Sequence, residues 1–372
     1  MNFTVGSPQL DNSRSLRLHM TGSEWFTSGP GGLNRYFTDL YSTLNQRPGV
    51  DVSAAAFGKP EQGGHSWGPV GASTLRRAYT AFRDASALPP DAVIDRHFCL
   101  YGRSAIGAHG RHPLVVHFHG PWAAESRMVG ASEAVARSKY WIERLRYAGA
   151  DRFVVLSKHF RNLLVESYQV SEGRIRVIPP GVDLNRFRPS DHPSASCTIL
   201  CVRRLERRMG IHVLLRSWQA VIAAHPDARL VIVGTGTEES ALRVQAAESG
   251  YGDAITFEGT ATDGRLAQLY GQAAVTIVPS VALEGFGLIA LESLASGRAP
   301  IVTECGGLSD AVQELDTSLI VPAGDADALG DRIVRALDGD IPGPGQCRAH
   351  AETFSWAAAS QQHISMYEEL VS

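Results

Sequence analysis

Two glutamates eight residues apart, Glu284 and Glu292, close the stretch Pro279-Ser-Val-Ala-Leu-Glu-Gly-Phe-Gly-Leu-Ile-Ala-Leu-Glu292 and carry the most specific chemical signal in the chain. Glu284 falls in a loop after a strand-like run. Gly285 and Gly287, flanking Phe286, allow the backbone to approach a ligand closely. The amides near Gly287 and Leu288 open a helix, where backbone N–H groups and the helix dipole favour an anion. A phosphate cradle is the chemistry that follows. Glu292 falls among Leu291, Leu294 and Ala295, where burying even a neutral polar group without a partner costs about 2–7 kcal/mol. It therefore needs a donor, and ribose hydroxyls, an internal arginine or backbone amides would each serve.

Other residues add weaker signals. Val116-His-Phe-His-Gly120 ends a strand with two histidines, and His119, immediately before Gly120-Pro121, is the one expected to meet a ligand rather than the core. Glu125 and Arg127 follow in the next loop and suit an acceptor pocket. Asp325-Ala-Asp327 has the form of a metal-binding acidic pair, but it follows Pro322-Ala-Gly324 and starts a helix, where aspartate caps free amides. Gly234-Thr-Gly236 follows a strand as a dinucleotide loop would; its third glycine is absent, which argues against a nicotinamide cofactor and leaves Gly234 for the donor site. The five cysteines (Cys99, Cys197, Cys201, Cys305, Cys347) are scattered and without a CxxC pair, so reduced thiols are expected, and neither disulfides nor a metal.

These groups need elements to position them. Leu16–Met20 alternates as a first strand, Gly29-Pro-Gly-Gly32 interrupts, and Leu33, Tyr36, Phe37, Leu40, Tyr41 and Leu44 recur at helical spacing. Strand-like runs follow at 50–57, 92–94, 114–118, 153–156 and 175–178, with helices over about 133–148 and 158–168. Proline, glycine and polar residues cluster at Pro179–Asp183 and Pro189–Pro193, placing a boundary near 185–195. The alternation then restarts. Strands are expected at 198–202, 230–233, 255–257, 275–278, 299–302 and 318–321, with helices from 211 and over 238–249, 263–271 and 325–337, and a last helix from Trp356. Two doubly wound α/β domains are the predicted fold class, with ligands at the carboxyl ends of the strands.

At 372 residues the chain suits two hydrophobic cores, and 44% hydrophobic against 20% charged residues places it with globular rather than disordered proteins. Its apolar runs are too short for a membrane span and its first residues lack a signal-like apolar region, so a cytoplasmic protein is expected. Residues 1–190 hold 23 Lys and Arg against 15 Asp and Glu, whereas residues 191–372 hold 12 against 23. The basic half suits an anionic acceptor or peripheral contact with an anionic membrane, or is simply a solvated face. No nucleic-acid partner is expected.

The E-x7-E spacing of Glu284 and Glu292 resembles that of glycosyltransferase family 4, retaining enzymes of the GT-B fold, and nearly the whole chain shares the likeness. Gly31-Gly-Leu-Asn34 resembles the family's N-terminal glycine loop, Val116–Gly120 its strand-end histidine motif, Ile178–Asp183 and Arg186–Pro189 its interdomain signature, and Phe354-Ser-Trp356 the start of its final helix. The resemblance implies an acceptor-binding domain over 1–190, a nucleotide-sugar domain over 191–350, and a final segment, 351–372, returning to the first. It implies that Glu284 contacts the donor sugar and Glu292 the ribose, that Gly31, Gly32 and Asn34 close over the phosphates and acceptor, and that His119 orients sugar hydroxyls. Retention, a nucleotide diphosphate leaving group, and no cofactor or metal are implied too. Acceptors left open are sugars, lipid-linked glycans and small natural products.

One segment departs from the pattern. Val202-Arg-Arg-Leu-Glu-Arg-Arg-Met-Gly210 resembles the family's glycine-arginine-leucine run ending in lysine-glycine: Arg204 matches the arginine that grips the diphosphate, but Met209 stands at the lysine. Arg208 is the expected second cation, because a guanidinium fork suits phosphate oxygens. Two other functions stay open: a GT-B nucleotide-sugar 2-epimerase and a non-catalytic nucleotide-sugar binding protein.

Overall fold

The computed structural model describes residues 15–84, 86, 88–107, 110–128, 130–190 and 197–372, so residues 191–196 of the expected boundary and the N-terminal stretch 1–14 lie outside it. Fifteen strands are formed among the described residues: β1 (Leu16–Glu24), β2 (Val50–Phe57), β3 (His65–Ser66), β4 (Val93–Arg96), a ribbon of β5 (Ile106–Gly107) and β6 (Gly110–Arg111), β7 (Leu114–Phe118), β8 (Arg152–Val155), β9 (Ile175–Val177), β10 (Thr198–Val202), β11 (Arg229–Val233), β12 (Ile255–Gly259), β13 (Val275–Val278), β14 (Pro300–Thr303) and β15 (Ile320–Val321). One sheet runs β3-β2-β1-β4-β7-β8-β9 and another β12-β11-β10-β13-β14-β15. Pairing in the second sheet is parallel throughout, as it is for β1 with β2 and β4 in the first. Each order starts at a central strand and winds outward both ways, the doubly wound topology expected. Central strands such as Thr198-Ile-Leu-Cys-Val202 and Val275-Thr-Ile-Val278 are apolar along almost their whole length because helices cover both faces.

Internal contacts divide the chain into two compact units: Met1–His117, Gly149–Asp151 and His363–Ser372 form one, Phe118–Ala148 and Arg152–Gln362 the other. In the first, the end of the final helix (Trp356–Val371) closes on a buried polar core. Tyr367 donates to Asp95 Oδ2 at 2.8 Å, and Asp95 also faces His97 Nε2 at 3.1 Å and His117 Nε2 at 2.9 Å. Burial disfavours the Asp95 carboxylate, but the two imidazoles outweigh it and hold the carboxyl well below its usual range. Burial pushes the His117 imidazole down to about 4 despite the pull of Asp95. His117 is thus a core histidine, neutral at pH 7.

In the second unit, the helices Ile211–Ala224 and Ala326–Leu337 pack together around Leu214, Trp218 and Ile333. Asp325 caps the latter by accepting from Ala328 N at 3.0 Å, as its position before the helix implied. All five cysteines are free; burial pushes the Cys201 and Cys347 thiols up to about 12, which keeps them unreactive. One expectation is corrected: Glu125 and Arg127 lie not in a loop but on a helix, Trp122–Met128. The amides of Trp122 and Ala123 donate to the Glu143 carboxylate at 2.9 and 3.3 Å, so a residue twenty positions away holds the start of this helix. The helices Thr74–Phe82 and Pro344–Glu352 were likewise not anticipated. Among the described residues no helix is long and apolar enough to cross a membrane.

Candidate active site

The candidate site gathers at the carboxyl ends of β10, β11, β13 and β14, all in the second unit. The loop after β13 carries Glu284, whose predecessor Leu283 sits at φ 51, a left-handed conformation uncommon outside glycine. Three contacts hold that turn: Arg208 Nη1 donates to Leu283 O at 2.9 Å, Val281 N to Arg208 O at 2.9 Å, and Gly307 N to Glu284 O at 3.0 Å. Glu284 therefore leaves a fixed backbone. Its carboxylate accepts from Ser280 Oγ at 3.2 Å and is ion-paired with the Arg203 guanidinium. Burial raises the Glu284 carboxyl, but Arg203 and then Arg208 more than offset it, and the group stays below its ordinary value, ionised at pH 7.

The helix Leu288–Ala295 begins directly after Gly287, which is at φ 86. Glu292 lies about one turn along it, buried, and accepts from the Tyr270 hydroxyl at 3.0 Å. Burial first, then the nearby Glu292 charge, raises the Tyr270 phenol well above its usual range, so it remains a donor. Phe286 turns inward against Phe354, with ring centroids 5.6 Å apart. Gly285 passes so close to Phe160 that an added Cβ would lie 2.9 Å from its ring.

The arginines take different places. Arg204 is exposed, whereas Arg208 is half-buried, with Nη2 3.5 Å from Glu125 Oε1. Desolvation lowers the Arg208 guanidinium somewhat from its ordinary value, against the pull of Glu125. Arg203 was passed over in favour of its neighbour, and it is the arginine that reaches Glu284; Ser280, Tyr270 and Gly307 were also missed. The doubled arginine after β10 was the available signal, but spacing alone did not say which one turns inward. Gly234 follows β11 at φ 132, with its missing Cβ leaving room for Arg203 O.

Glu125 thus meets the glutamate loop through Arg208, which donates to Leu283 O, while Arg127 bonds Glu133 Oε1 through Nε at 2.9 Å. Arg127 also lines a mostly apolar cavity of about 690 Å³ bounded by Tyr140, Trp141, Leu163 and Tyr168, and by Leu283 of the glutamate loop. His119 follows β7, half-buried. Gly31, Gly32 and Asn34 belong to the first unit. There Gly31 precedes the helix Gly32–Asn45, and the Asn34 amide ties the loop by donating to Gly29 O at 2.7 Å.

Residues 184–353 match the family described as Glycosyl transferases group 1, and residues 30–186 match Glycosyltransferase Family 4. The D-inositol 3-phosphate glycosyltransferase of Acidothermus cellulolyticus is 34% identical over 245 residues, 60% of this chain and 54% of that protein. The enzyme of the same name from Nocardiopsis dassonvillei is 29% identical over 88% of this chain and 82% of its own. The chain thus spans about half the length of the first of these relatives. Among solved structures, sucrose-phosphate synthase from Thermosynechococcus elongatus superposes with a TM-score of 0.74 at 22% identity, covering 95% of this chain and 99% of that one. Anabaena HepE in complex with UDP gives 0.74 at 17% identity over 95% and 100%. At these identities the likeness to the structures is one of fold, GT-B.

Proposed function

The chain belongs to glycosyltransferase family 4, and from that premise we propose that it moves a glycosyl group from a nucleotide diphosphate sugar to an acceptor hydroxyl with retention of configuration. The observation that carries the reading is Glu284: an ionised, largely buried carboxylate on a braced turn, four residues before the helix that starts at Leu288 after Gly287, and eight before the buried Glu292. In this reading Glu284 accepts hydrogen bonds from the donor sugar and Glu292 holds the ribose. The backbone at Gly234, Gly285, Phe286, Gly287 and Leu288 lines the diphosphate with Arg204 and Arg208. The bond from the anomeric carbon to phosphate oxygen breaks, the acceptor oxygen bonds to that carbon on the same face, and its proton passes to the departing phosphate. Charge on the leaving group is met by guanidinium and amide donors, so no metal is required.

His119, Glu125 and Arg127 serve the acceptor. The cavity beside Leu283 suits one with an apolar or aromatic body, because Trp141, Tyr140, Tyr168 and Leu163 form its walls. Wild-type protein should release nucleotide diphosphate from a matched nucleotide-sugar only when an acceptor is added, at a rate unchanged by a chelator. Equal release without acceptor would favour the 2-epimerase reading, tight nucleotide-sugar binding without turnover a binding protein, and loss with the chelator a metal-dependent enzyme.

Peripheral membrane contact is part of the proposal. The helix Glu133–Tyr147 leaves Trp141 61% and Leu145 76% exposed beside Arg137, Lys139, Arg144 and Arg146. Apolar side chains rimmed by cations suit the interface of an anionic bilayer. The protein should sediment with phosphatidylglycerol-containing vesicles, come off as salt rises, and lose most of that binding in Trp141→Ala/Leu145→Ala. Sedimentation indifferent to lipid charge would leave a solvated face.

A further inference from the structure

We propose that Arg203 is the cation that receives the departing diphosphate, and that Glu284 holds it in reserve until the nucleotide arrives. This rests on the transferase reading and names a residue within that site. Arg203 is the first residue beyond β10, the central strand of its sheet. Its backbone is clamped, N donating to Val233 O at 2.9 Å while its carbonyl fills the space left by the absent Cβ of Gly234. The side chain is therefore aimed from a rigid base. It is 8% exposed, and Nη2 contacts the Glu284 carboxylate, Ser280 Oγ at 2.5 Å and Met209 Sδ at 2.8 Å. Its Nε–H is buried too and donates to no partner among the described residues. A buried guanidinium with an N–H to spare fits a phosphate, whose oxygens accept from two of its donors at once.

The nearby arginines are placed otherwise: Arg204 is exposed, and Arg208 is committed to Leu283 O and Glu125. Met209 then takes on meaning. In the pattern the segment resembles, glycine stands at position 203 and lysine at 209; here an arginine reaches in from the glycine position and a thioether stands at the lysine. A lysine at 209 would bring a second cation to where Sδ lies 2.8 Å from Nη2, and buried like charges at that distance repel strongly. The two departures are one change. The positive charge has moved from residue 209 to residue 203.

Without ligand, Glu284 neutralises Arg203, since a lone buried guanidinium is costly. A diphosphate carries more negative charge than one carboxylate and offers Nε an acceptor, so it displaces Glu284 from the guanidinium. Glu284 is then released toward the sugar. Donor binding thereby arms the carboxylate, and no covalent step is involved.

Calorimetric titration with inorganic pyrophosphate and UDP, alongside turnover, tests this on the full chain. Arg203→Met should bind pyrophosphate at least tenfold more weakly and turn over about 10²–10³-fold more slowly, the loss typical of one such contact. Arg203→Lys should recover part of the binding. Met209→Lys alone should lower activity, and the double change Arg203→Gly/Met209→Lys should return it to within about tenfold of wild type. Glu284→Gln should bind pyrophosphate more tightly than wild type because it releases Arg203. That arm decides the matter even if the Arg203 variants fail to fold. Unchanged or weaker pyrophosphate binding by Glu284→Gln, or a double variant no better than Arg203→Met, overturns the assignment. Full turnover by Arg203→Met overturns it while leaving the transferase reading intact. Wild type that binds pyrophosphate through Arg203 but turns over no nucleotide-sugar upholds the cation site and sinks the transferase reading instead.

Discussion

Glu284→Gln should lower turnover by about 10²–10³ while saturating nucleotide-sugar still binds, whereas Glu292→Gln should weaken nucleotide binding several-fold and leave turnover at saturation nearly intact. The difference comes from where each carboxylate sits. Glu284 is on the braced loop, ionised and facing Arg203 and Ser280, so the amide removes a charge where the reacting sugar is proposed to lie. Glu292 is about one turn into its helix and bonded to Tyr270, and a glutamine oxygen still accepts from that phenol. The fold should survive both changes, and only the ribose contact is lost in the second. Initial rates over a range of donor concentrations separate kcat from KM for both. Small and equal effects would remove the E-x7-E assignment, and a Glu292→Gln defect confined to kcat would place that residue at the reacting carbon instead.

How much of this could be read from the sequence depended on how local each determinant is. The strands of the second sheet were legible because fully buried parallel strands are short apolar runs bounded by glycine and polar residues; Val275–Val278 falls as expected, and Thr198–Val202 likewise. The Glu284 loop was legible because glycine spacing and helix start lie within one segment. The helix Trp122–Met128 was not, because its first amides are satisfied by Glu143 from another helix, a tertiary contact with no local signature. The donor for Glu292 was equally hidden, since Tyr270 stands 22 residues upstream. That Arg203 rather than Arg204 turns inward to Glu284 was hidden for a finer reason. Neighbouring residues at a strand end point to opposite sides, and one position decides which is buried.

The glycines opposite the glutamate loop carry the other large effect. Gly306, at φ 59, has no room for a side chain: an added Cβ would lie 2.0 Å from Glu284 O. At Gly307 it would lie 2.0 Å from Gly285 O and 2.6 Å from the Ser157 Cβ, and Ser157 is itself fixed as the cap that accepts from Phe160 N. Both obstructions are backbone carbonyls of the loop that presents Glu284, so no rotamer change relieves them. Real Cβ atoms essentially never approach within 3.0 Å, so alanine at either position must push that loop away by about 1 Å. A shift of that size at a reacting group can cost about 10² in rate. Overpacking adds about 1–3 kcal/mol of destabilisation, and at Gly306 the left-handed backbone adds about 1 kcal/mol more. Gly306→Ala and Gly307→Ala should therefore lose about 10²-fold in turnover and melt several degrees lower, with Gly306→Ala the less stable of the two. Gly339→Ala is the control: its φ is 96 but nothing lies within 4 Å of the added Cβ, so it carries the backbone cost without touching the loop. It should melt lower yet turn over at the wild-type rate. If Gly307→Ala matches that control in turnover, the loop is not held in place by the Gly307 contact, and Glu284 owes its position to Arg208 and Arg203 alone.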